Sequence, residues 1–247
     1  MHSSLKYLDH RPWPIPENEW GWRQNWTDLL FAHWQVDPDS LNQYIPDSLE
    51  IDSYDNSAWI GVVPFRMENV SHRYLPDLPY LSKFPELNLR TYVRYEDKPG
   101  VWFFSLDAAN LVAVKSARSL FHLPYKHAKI ELTKHEDKYS FNSKRLEGDC
   151  LFNAHYQPVS EPYSAETGTL EHWLTERYCL YAESPDKTIY RTEVHHAQWS
   201  LEKADAEIRT NQLADNFDFE LPGQPVITHF SKKIEVIAWS PEKISDC

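Results

Sequence analysis

Alternation of apolar and polar positions recurs along this chain and predicts β-strands. The clearest case is 87–95, whose odd-numbered positions are mostly apolar and whose even-numbered positions include Asn88, Arg90 and Arg94. A period of two places these sets on opposite faces of a strand. Pro64, inside another apolar run, predicts a sheet edge or a β-bulge. Runs at the following positions also predict strands: 26–34, 57–67, 101–107, 126–132, 138–146, 151–157, 179–182, 189–194 and 226–239, the last interrupted at 231–233.

Helical spacing is confined to short segments. Apolar residues recur three and four positions apart over 109–120, and 169–178 has a similar pattern. Asp37 and Pro38 predict the start of a short helix over 37–45. The polar stretch 204–216 is compatible with more than one element, and 71–85 is a proline-punctuated loop. Many strands with few helices, and without regular βαβ alternation, predict a mainly β, antiparallel α+β domain.

One domain accounts for the length of 247 residues, because no linker composition interrupts the chain. We therefore expect a single domain over 1–247. Residues 1–25 are rich in proline and tryptophan, which predicts an ordered arm that packs on the body through its indoles. The prolines exclude a long helix there.

The composition limits the cellular locations and the classes of binding partner that we expect for this protein. A formal net charge of −12 argues against a nucleic-acid-binding protein. The first residues lack a hydrophobic signal core, and no apolar run approaches the roughly 20 residues that span a bilayer. Three cysteines, Cys150, Cys179 and Cys247, lack metal-type spacing. We interpret them as free thiols, which predicts a cytoplasmic protein without membrane or nucleic-acid partners.

The segment 117–128, Ala-Arg-Ser-Leu-Phe-His-Leu-Pro-Tyr-Lys-His-Ala, resembles the Gly-Arg-Glu-x-x-Gly-Phe-Pro-Lys-Lys-x-Ala signature of acetoacetate decarboxylases. The segments 26–34, 63–67, 84–93 and 170–178 resemble the uncharacterised YqjF-like family, domain of unknown function 2071. The first resemblance is local, whereas the second extends over nearly the whole chain.

The decarboxylase resemblance implies an antiparallel β-barrel with an internal cavity. It also implies that a first lysine forms a Schiff base with a β-keto acid and that a second lysine lowers the pKa of the first. By position, Tyr125 replaces the first lysine and Lys126 corresponds to the second. Acetoacetate decarboxylation by the usual route therefore lacks its nucleophile.

Lys126 is the remaining candidate for imine chemistry, with Tyr125 as a hydrogen-bond donor or proton relay. Alternation places Lys126 on the apolar side of its strand, but this does not establish which side faces a cavity. A dry cavity would lower the pKa of the lysine and favour imine formation, whereas an outward position would leave a surface lysine.

Glu86 and Arg90 are further candidate residues for the same site as Lys126 and Tyr125. A carboxyl group can move protons, and a guanidinium can hold a substrate carboxylate. Arg66 and Arg118 are further candidates for anion binding. For each of these groups a structural ion pair is the alternative interpretation.

No metal or other cofactor is expected. Neighbouring His195 and His196 point to opposite faces of a strand, and no third ligand has suitable spacing. Two hypotheses remain for function. The chain is either a lyase-type enzyme that acts on a small keto acid or carbonyl compound through Lys126, or a non-catalytic module that binds an aromatic or acidic metabolite. The sequence is compatible with a homo-oligomer.

Overall fold

β-Strands form most of the computed structural model, which describes residues 2–75 and 82–245. Two 3-10 helices, Ser3–Lys6 and Pro38–Tyr44, accompany the α-helices α1 (Leu111–Phe121) and α2 (Leu170–Thr175). The strands are β1 (Trp22–Val36), β2 (Glu50–Ile51), β3 (Ala58–His72), β4 (Phe84–Tyr95), β5 (Lys98–Ala108), β6 (Tyr125–His135), β7 (Lys138–Arg145), β8 (Leu151–Pro158), β9 (Cys179–Glu183), β10 (Ile189–His196), β11 (Glu202–Asn211), β12 (Ile227–Ala238) and β13 (Glu242–Ser245).

Each predicted strand and helix is present with somewhat different bounds, whereas β2 and β13 have no predicted counterpart, and β3 and β4 include the two ends of the predicted loop 71–85. The ambiguous segment 204–216 contains most of β11, and the predicted break at 231–233 is wrong. Strand β12 continues there because Ser231 and Lys233 pair with Leu29 and Thr27 of β1. Residues 76–81 of the predicted loop and Cys247 lie outside the described residues.

Nine of the strands close into a barrel, in the order β5-β6-β7-β8-β11-β12-β1-β3-β4, with β4 pairing back to β5. The prediction of a purely antiparallel sheet is only partly right, because β5 pairs in parallel with β6 and with β9. In the first parallel pair, the chain leaves α1 and re-enters the sheet beside the end of β5, where Tyr125, Lys126 and His127 pair with Leu106, Asp107 and Ala108.

Strands β9 and β10 form a bridge from β5 to β12 and so close a second ring, β5-β9-β10-β12-β1-β3-β4. The strands common to both rings have two buried faces. In β1, Leu29 and Phe31 belong to one apolar cluster, while Leu30 and Ala32 belong to another. We call these clusters the first interior, inside the bridged ring, and the second interior, packed against β7 and β8.

Pro64 marks an irregularity in the shared sheet. Strand β3 lies between β1 and β4, so Pro64 is not on a sheet edge. The β1–β3 register shifts between Thr27 and Ala32, and Asp28 inside this shift has a φ of 55°. The bulge alternative is therefore confirmed, since a residue without an N–H group is tolerated where the ladder is interrupted.

The N-terminal arm packs on β10 through polar as well as aromatic groups. Arg11 is buried, forms an ion pair with Glu193 and donates to the Val194 carbonyl oxygen at 2.6 Å. The indole of Trp13 donates to the same Glu193 carboxylate at 2.8 Å. The arm ends where β1 begins at Trp22, a few residues earlier than predicted. None of the described helices has the length and hydropathy needed to cross a membrane.

A buried ion pair joins β5 to β7 beside the second interior. Both carboxylate oxygens of Asp107 accept from Nε of Arg145, at 3.0 and 2.9 Å, and the same guanidinium donates to Ser105 at 2.7 Å. Asp107 is 1% exposed and Arg145 is 9% exposed. Removal of one partner would leave the other charge buried and uncompensated.

Asp107→Asn should therefore lower the free energy of unfolding by about 3–5 kcal/mol, as measured by urea denaturation. The matched control is Glu207→Gln, which breaks the exposed pair of Glu207 with Arg209 and should leave the urea midpoint unchanged. Equal midpoints for both variants would contradict a stabilising role of the buried pair.

Candidate functional site

A pocket of about 370 Å³ lies within the first interior. Every strand of the bridged ring contributes to its lining, and α1 covers one side. Asn110 caps the N-terminus of helix α1, because its side chain accepts from two backbone N–H groups of the first turn. The walls are largely apolar, and their aromatic members include Trp22, Trp26, Phe31, Phe65, Phe84, Phe103, Phe121 and Trp199.

Strand β4 supplies the polar groups on one wall. Glu86, Asn88 and Arg90 all line the pocket, because alternate residues of a strand share a face. Their neighbours Leu87 and Leu89 pack into the second interior. The two faces predicted for 87–95 are therefore confirmed over 87–90, where the polar face is buried as well.

Glu86 and Tyr125 form a hydrogen-bonded pair in this wall. The hydroxyl of Tyr125 donates to Oε2 of Glu86 at 2.9 Å, and the two residues are 7% and 2% exposed, respectively. Burial raises the pKa of Glu86 to about 8, against the opposing hydrogen bonds from Tyr125 and Asn88. Burial and the nearby Glu86 also raise the pKa of Tyr125 well above its usual value. Glu86 can thus change its protonation state near neutral pH, while Tyr125 keeps its proton.

The turn before β6 holds Tyr125 in place. Its N–H donates to the Leu123 carbonyl oxygen at 2.8 Å across Pro124, and its carbonyl oxygen accepts from Nε of Arg118 at 2.7 Å. Arg118, in the last turn of α1, is exposed and does not line the pocket. Arg118 therefore lies outside this pocket, and its side chain reaches back to the main chain of the turn, so its role in anion binding stays a prediction.

Arg90 is a buried cation that has no carboxylate partner among the residues that the structure describes. It is 9% exposed, and its guanidinium carbon lies 5.3 Å from the ring centroid of Phe31. One Nη atom is 3.5 Å from the hydroxyl of Tyr92, and Nε has no acceptor in the described part of the chain. Within the described ranges, no carboxylate oxygen lies within 4.0 Å of this guanidinium. Gly61 of β3 makes room for it, since a Cβ there would lie 3.3 Å from the Arg90 side chain.

Lys126 does not reach the pocket, so the expectation that it lines the cavity is wrong. Tyr125 occupies the inward position of β6, and the next side chain must point to the opposite face. Lys126 is exposed there, beside Asp107, its partner in the parallel β5–β6 ladder. An ammonium group in this position is exposed to water on the outside of the pocket, so it does not face a ligand bound there.

Arg66 also lies outside the pocket. It donates to the Leu132 carbonyl oxygen at 3.2 Å and approaches the carboxylate of Asp28 at 3.8 Å. These contacts of Arg66 fit a structural ion pair, the alternative interpretation, better than they fit substrate binding. Of the predicted site residues, the structure brings together Glu86, Tyr125 and Arg90.

Sequence reasoning missed Arg177, which lines the pocket just after α2. Its guanidinium carbon lies 4.3 Å from the ring centroid of Trp173 and 4.7 Å from that of Tyr92, and Nη1 pairs with Asp52 at 2.5 Å. No periodicity marks this position, since Arg177 lies in an irregular turn. Asp52, far away in sequence, is its only carboxylate partner in the described part of the chain.

No three His, Cys, Asp or Glu side chains of residues 2–75 and 82–245 converge as a metal site would require. Both ring nitrogens of pocket-lining His196 face main-chain oxygens, those of Ala197 at 2.7 Å and Arg177 at 3.3 Å. Chemically, the site combines apolar walls, one cationic anchor at Arg90, and a carboxyl group, Glu86, that titrates near pH 8.

Comparison with solved structures supports the fold. The chain is similar to an acetoacetate decarboxylase from Legionella pneumophila, with a TM-score of 0.62, 16% identity, and coverage of 100% of this chain and 98% of that chain. It is also similar to the enduracididine biosynthesis enzyme MppR in complex with pyruvate, with a TM-score of 0.61, 12% identity, and coverage of 96% and 94%. At these identities the likeness extends to the fold alone.

Comparison of amino-acid sequences finds a much more similar protein than the comparison of structures does. The uncharacterised protein YqjF of Bacillus subtilis is 44% identical over 232 residues, which are 94% of this chain and 96% of that protein. The model of the DUF2071 family, described as uncharacterised conserved proteins, matches residues 23–235. The chain therefore belongs to the DUF2071 family, on a barrel fold shared with acetoacetate decarboxylase-like enzymes.

Proposed function

We propose that this protein binds a small carboxylic acid with an apolar body in the pocket of the first interior. The observation that carries the proposal is Arg90, a buried guanidinium that lines the pocket without a carboxylate partner among the described residues. A buried unpaired charge is costly, so a site of this kind is expected to receive its counter-ion from a ligand.

The size and walls of the pocket support an apolar body. About 370 Å³ is much more than a three- or four-carbon acid occupies, since one water molecule takes about 30 Å³ of liquid volume. Glu86 and Arg90 are four residues apart on β4, so their Cα atoms are separated by roughly 13 Å. The fold neighbour MppR is described in complex with pyruvate, which is also a carboxylate. Aromatic walls between these polar groups suit a ring or an alkyl chain.

Arg90→Met should weaken binding of 4-phenylbutanoate at least about tenfold by isothermal titration calorimetry, because a charge-assisted hydrogen bond is lost. The same variant should be at least as stable to urea as the wild type, because it removes an unpaired buried charge. Arg66→Gln, which changes a guanidinium outside the pocket, should bind like the wild type.

Two results would contradict this proposal. One is equal affinity of the wild type and Arg90→Met. The other is the failure of the wild type to bind 4-phenylbutanoate, hexanoate and octanoate. A large loss of stability in Arg90→Met without a loss of affinity would favour a structural role for this arginine.

A second candidate function is proton transfer to and from the bound acid. The specific observation is the hydrogen-bonded pair of Glu86 and Tyr125, in which burial raises the pKa of the Glu86 carboxyl to about 8. As a carboxylate, Glu86 would take a proton from a carbon next to a carbonyl group, leaving an enolate and a neutral carboxylic acid. The proton would then return from Glu86 to the same carbon or be exchanged with solvent.

This candidate predicts solvent deuterium exchange at C3 of 4-oxo-4-phenylbutanoate, measured by proton NMR in D₂O. Because the base is the ionised form of Glu86, the exchange rate should rise with pH and level off above about pH 8. Glu86→Gln should reduce the rate by about a hundredfold or more. The control Lys126→Ala should leave the rate unchanged, because that side chain is exposed. Exchange that persists in Glu86→Gln would exclude Glu86 as the base.

A further inference from the structure

The pocket of the first interior is long and narrow. Phe84 and Arg90 both line it from β4, and their separation of six residues in an extended strand places their Cα atoms roughly 20 Å apart. A volume of about 370 Å³ over this length leaves a cross-section of about 20 Å². Neighbouring extended chains in a sheet lie about 4.8 Å apart, which corresponds to a similar area. The pocket therefore has the width of one extended chain rather than of a broad ring system.

One end of the pocket is buried around Arg90. The guanidinium carbons of Arg90 and Arg177 lie 5.7 and 4.7 Å from the ring centroid of Tyr92, which is fully buried. Val101 of β5, which pairs with Tyr92, lines the pocket and is buried as well. Arg90 therefore offers its charge at the deep end of the pocket.

The other end of the pocket opens between α1 and the residues that follow β3. Leu75, Val112 and Leu120 line the pocket, yet they are 58%, 55% and 52% exposed, so they lie where the pocket meets solvent. We call these three residues the mouth. The N–H of Leu75 donates to the His72 carbonyl oxygen at 2.9 Å, which ties this side of the mouth to β3. Exposed apolar side chains around an opening are typical of a site that receives an apolar part of a ligand.

Aromatic contacts hold the two sides of the mouth together. The ring of Trp22, at the start of β1, lies 5.2 Å from that of His72 on β3 and 6.0 Å from that of Phe121 on α1. Gly61, the partner of Arg90, precedes His72 by eleven residues in β3. The mouth and Arg90 therefore lie at opposite ends of the shared sheet.

Glu86 lies between these two ends but does not oppose an apolar chain. Its carboxyl group accepts from Tyr125 at 2.9 Å, and burial raises its pKa to about 8. It is therefore mostly protonated at pH 7, and one of its oxygens is already engaged by the wall.

We infer that the ligand is a long-chain monocarboxylic acid, with its carboxylate at Arg90, its unbranched chain along β4 and its end at the mouth. An extended chain advances about 1.2 Å per bond, so roughly 20 Å holds about 16 bonds. This inference rests on the proposed function, because it requires the carboxylate to bind Arg90. It adds the length of the apolar body and the direction in which that body lies.

The experiment measures the affinity of the wild type for the even-numbered saturated acids from hexanoate to octadecanoate. Tryptophan fluorescence reports binding, because Trp22, Trp26 and Trp199 line the pocket, and each acid is kept below the concentration at which it forms micelles. Each methylene that enters the pocket should tighten binding about two- to fourfold, so dodecanoate should bind at least about tenfold more tightly than octanoate. Beyond about 16 carbons, two further methylenes should add less than about twofold, because they remain in water.

Ala117→Trp tests whether the chain runs through the pocket. Ala117 lines the pocket from α1, one turn before Phe121, and an indole there fills space near the mouth. Hexadecanoate should bind this variant at least about tenfold more weakly than the wild type, while the affinity for octanoate stays within about threefold. The matched control is Ser119→Trp, which places the same side chain at an exposed position of α1 outside the pocket lining and should retain the wild-type dependence on chain length.

The outcomes separate this inference from the proposed function. If octanoate binds the wild type and loses affinity in Arg90→Met, but affinity does not rise beyond octanoate, the inference is overturned and the proposed function stands. A gain with chain length that is unchanged in Ala117→Trp, or that does not level off by octadecanoate, also overturns the inference, because the chain then lies outside the pocket. If hexadecanoate binds the wild type and Arg90→Met equally, or if no acid of the series binds the wild type, the inference and the proposed function both fail.

Discussion

A sheet that is buried on both faces is the constraint on which the rest of this structure depends. Strands β1, β3, β4, β5 and β12 belong to both rings, so the buried residues of their central parts face one interior or the other. A shift of one residue would move Leu87 into the pocket and Glu86 into the second interior. The register of β3 against β4, with Phe65 opposite Glu86 and Gly61 opposite Arg90, therefore positions the polar groups of the site.

The pocket places costly groups where a well-packed core would be more stable. Arg90 is buried without a carboxylate partner among the described residues, and Glu86 is buried with a pKa raised to about 8 by burial. The surrounding structure offsets this cost elsewhere, through the ion pairs Asp107–Arg145 and Arg11–Glu193 and through two tightly packed apolar clusters. Polar groups that weaken a fold and line a pocket are typical of functional sites.

Much of the fold and part of the site follow from local patterns. Alternation identifies β4 and its two faces, and the capping side chains of Asn110 and Thr169 agree with the helices that follow them. Lys126 shows the limit of this reasoning. Its strand is half-exposed on both sides beyond Ala128, so alternation alone indicates an apolar side without indicating which residue enters the first interior.

By itself, the sequence determined the family, the succession of strands, and the alternation that groups Glu86, Asn88 and Arg90 on one face. These properties depend on residues close together in the chain. Only the tertiary structure decided that this face lines a pocket, that Tyr125 enters it instead of Lys126, and that Arg177 joins it. The reason is that the bridge of β9 and β10 brings together segments distant in sequence, and burial of a side chain depends on such long-range pairing.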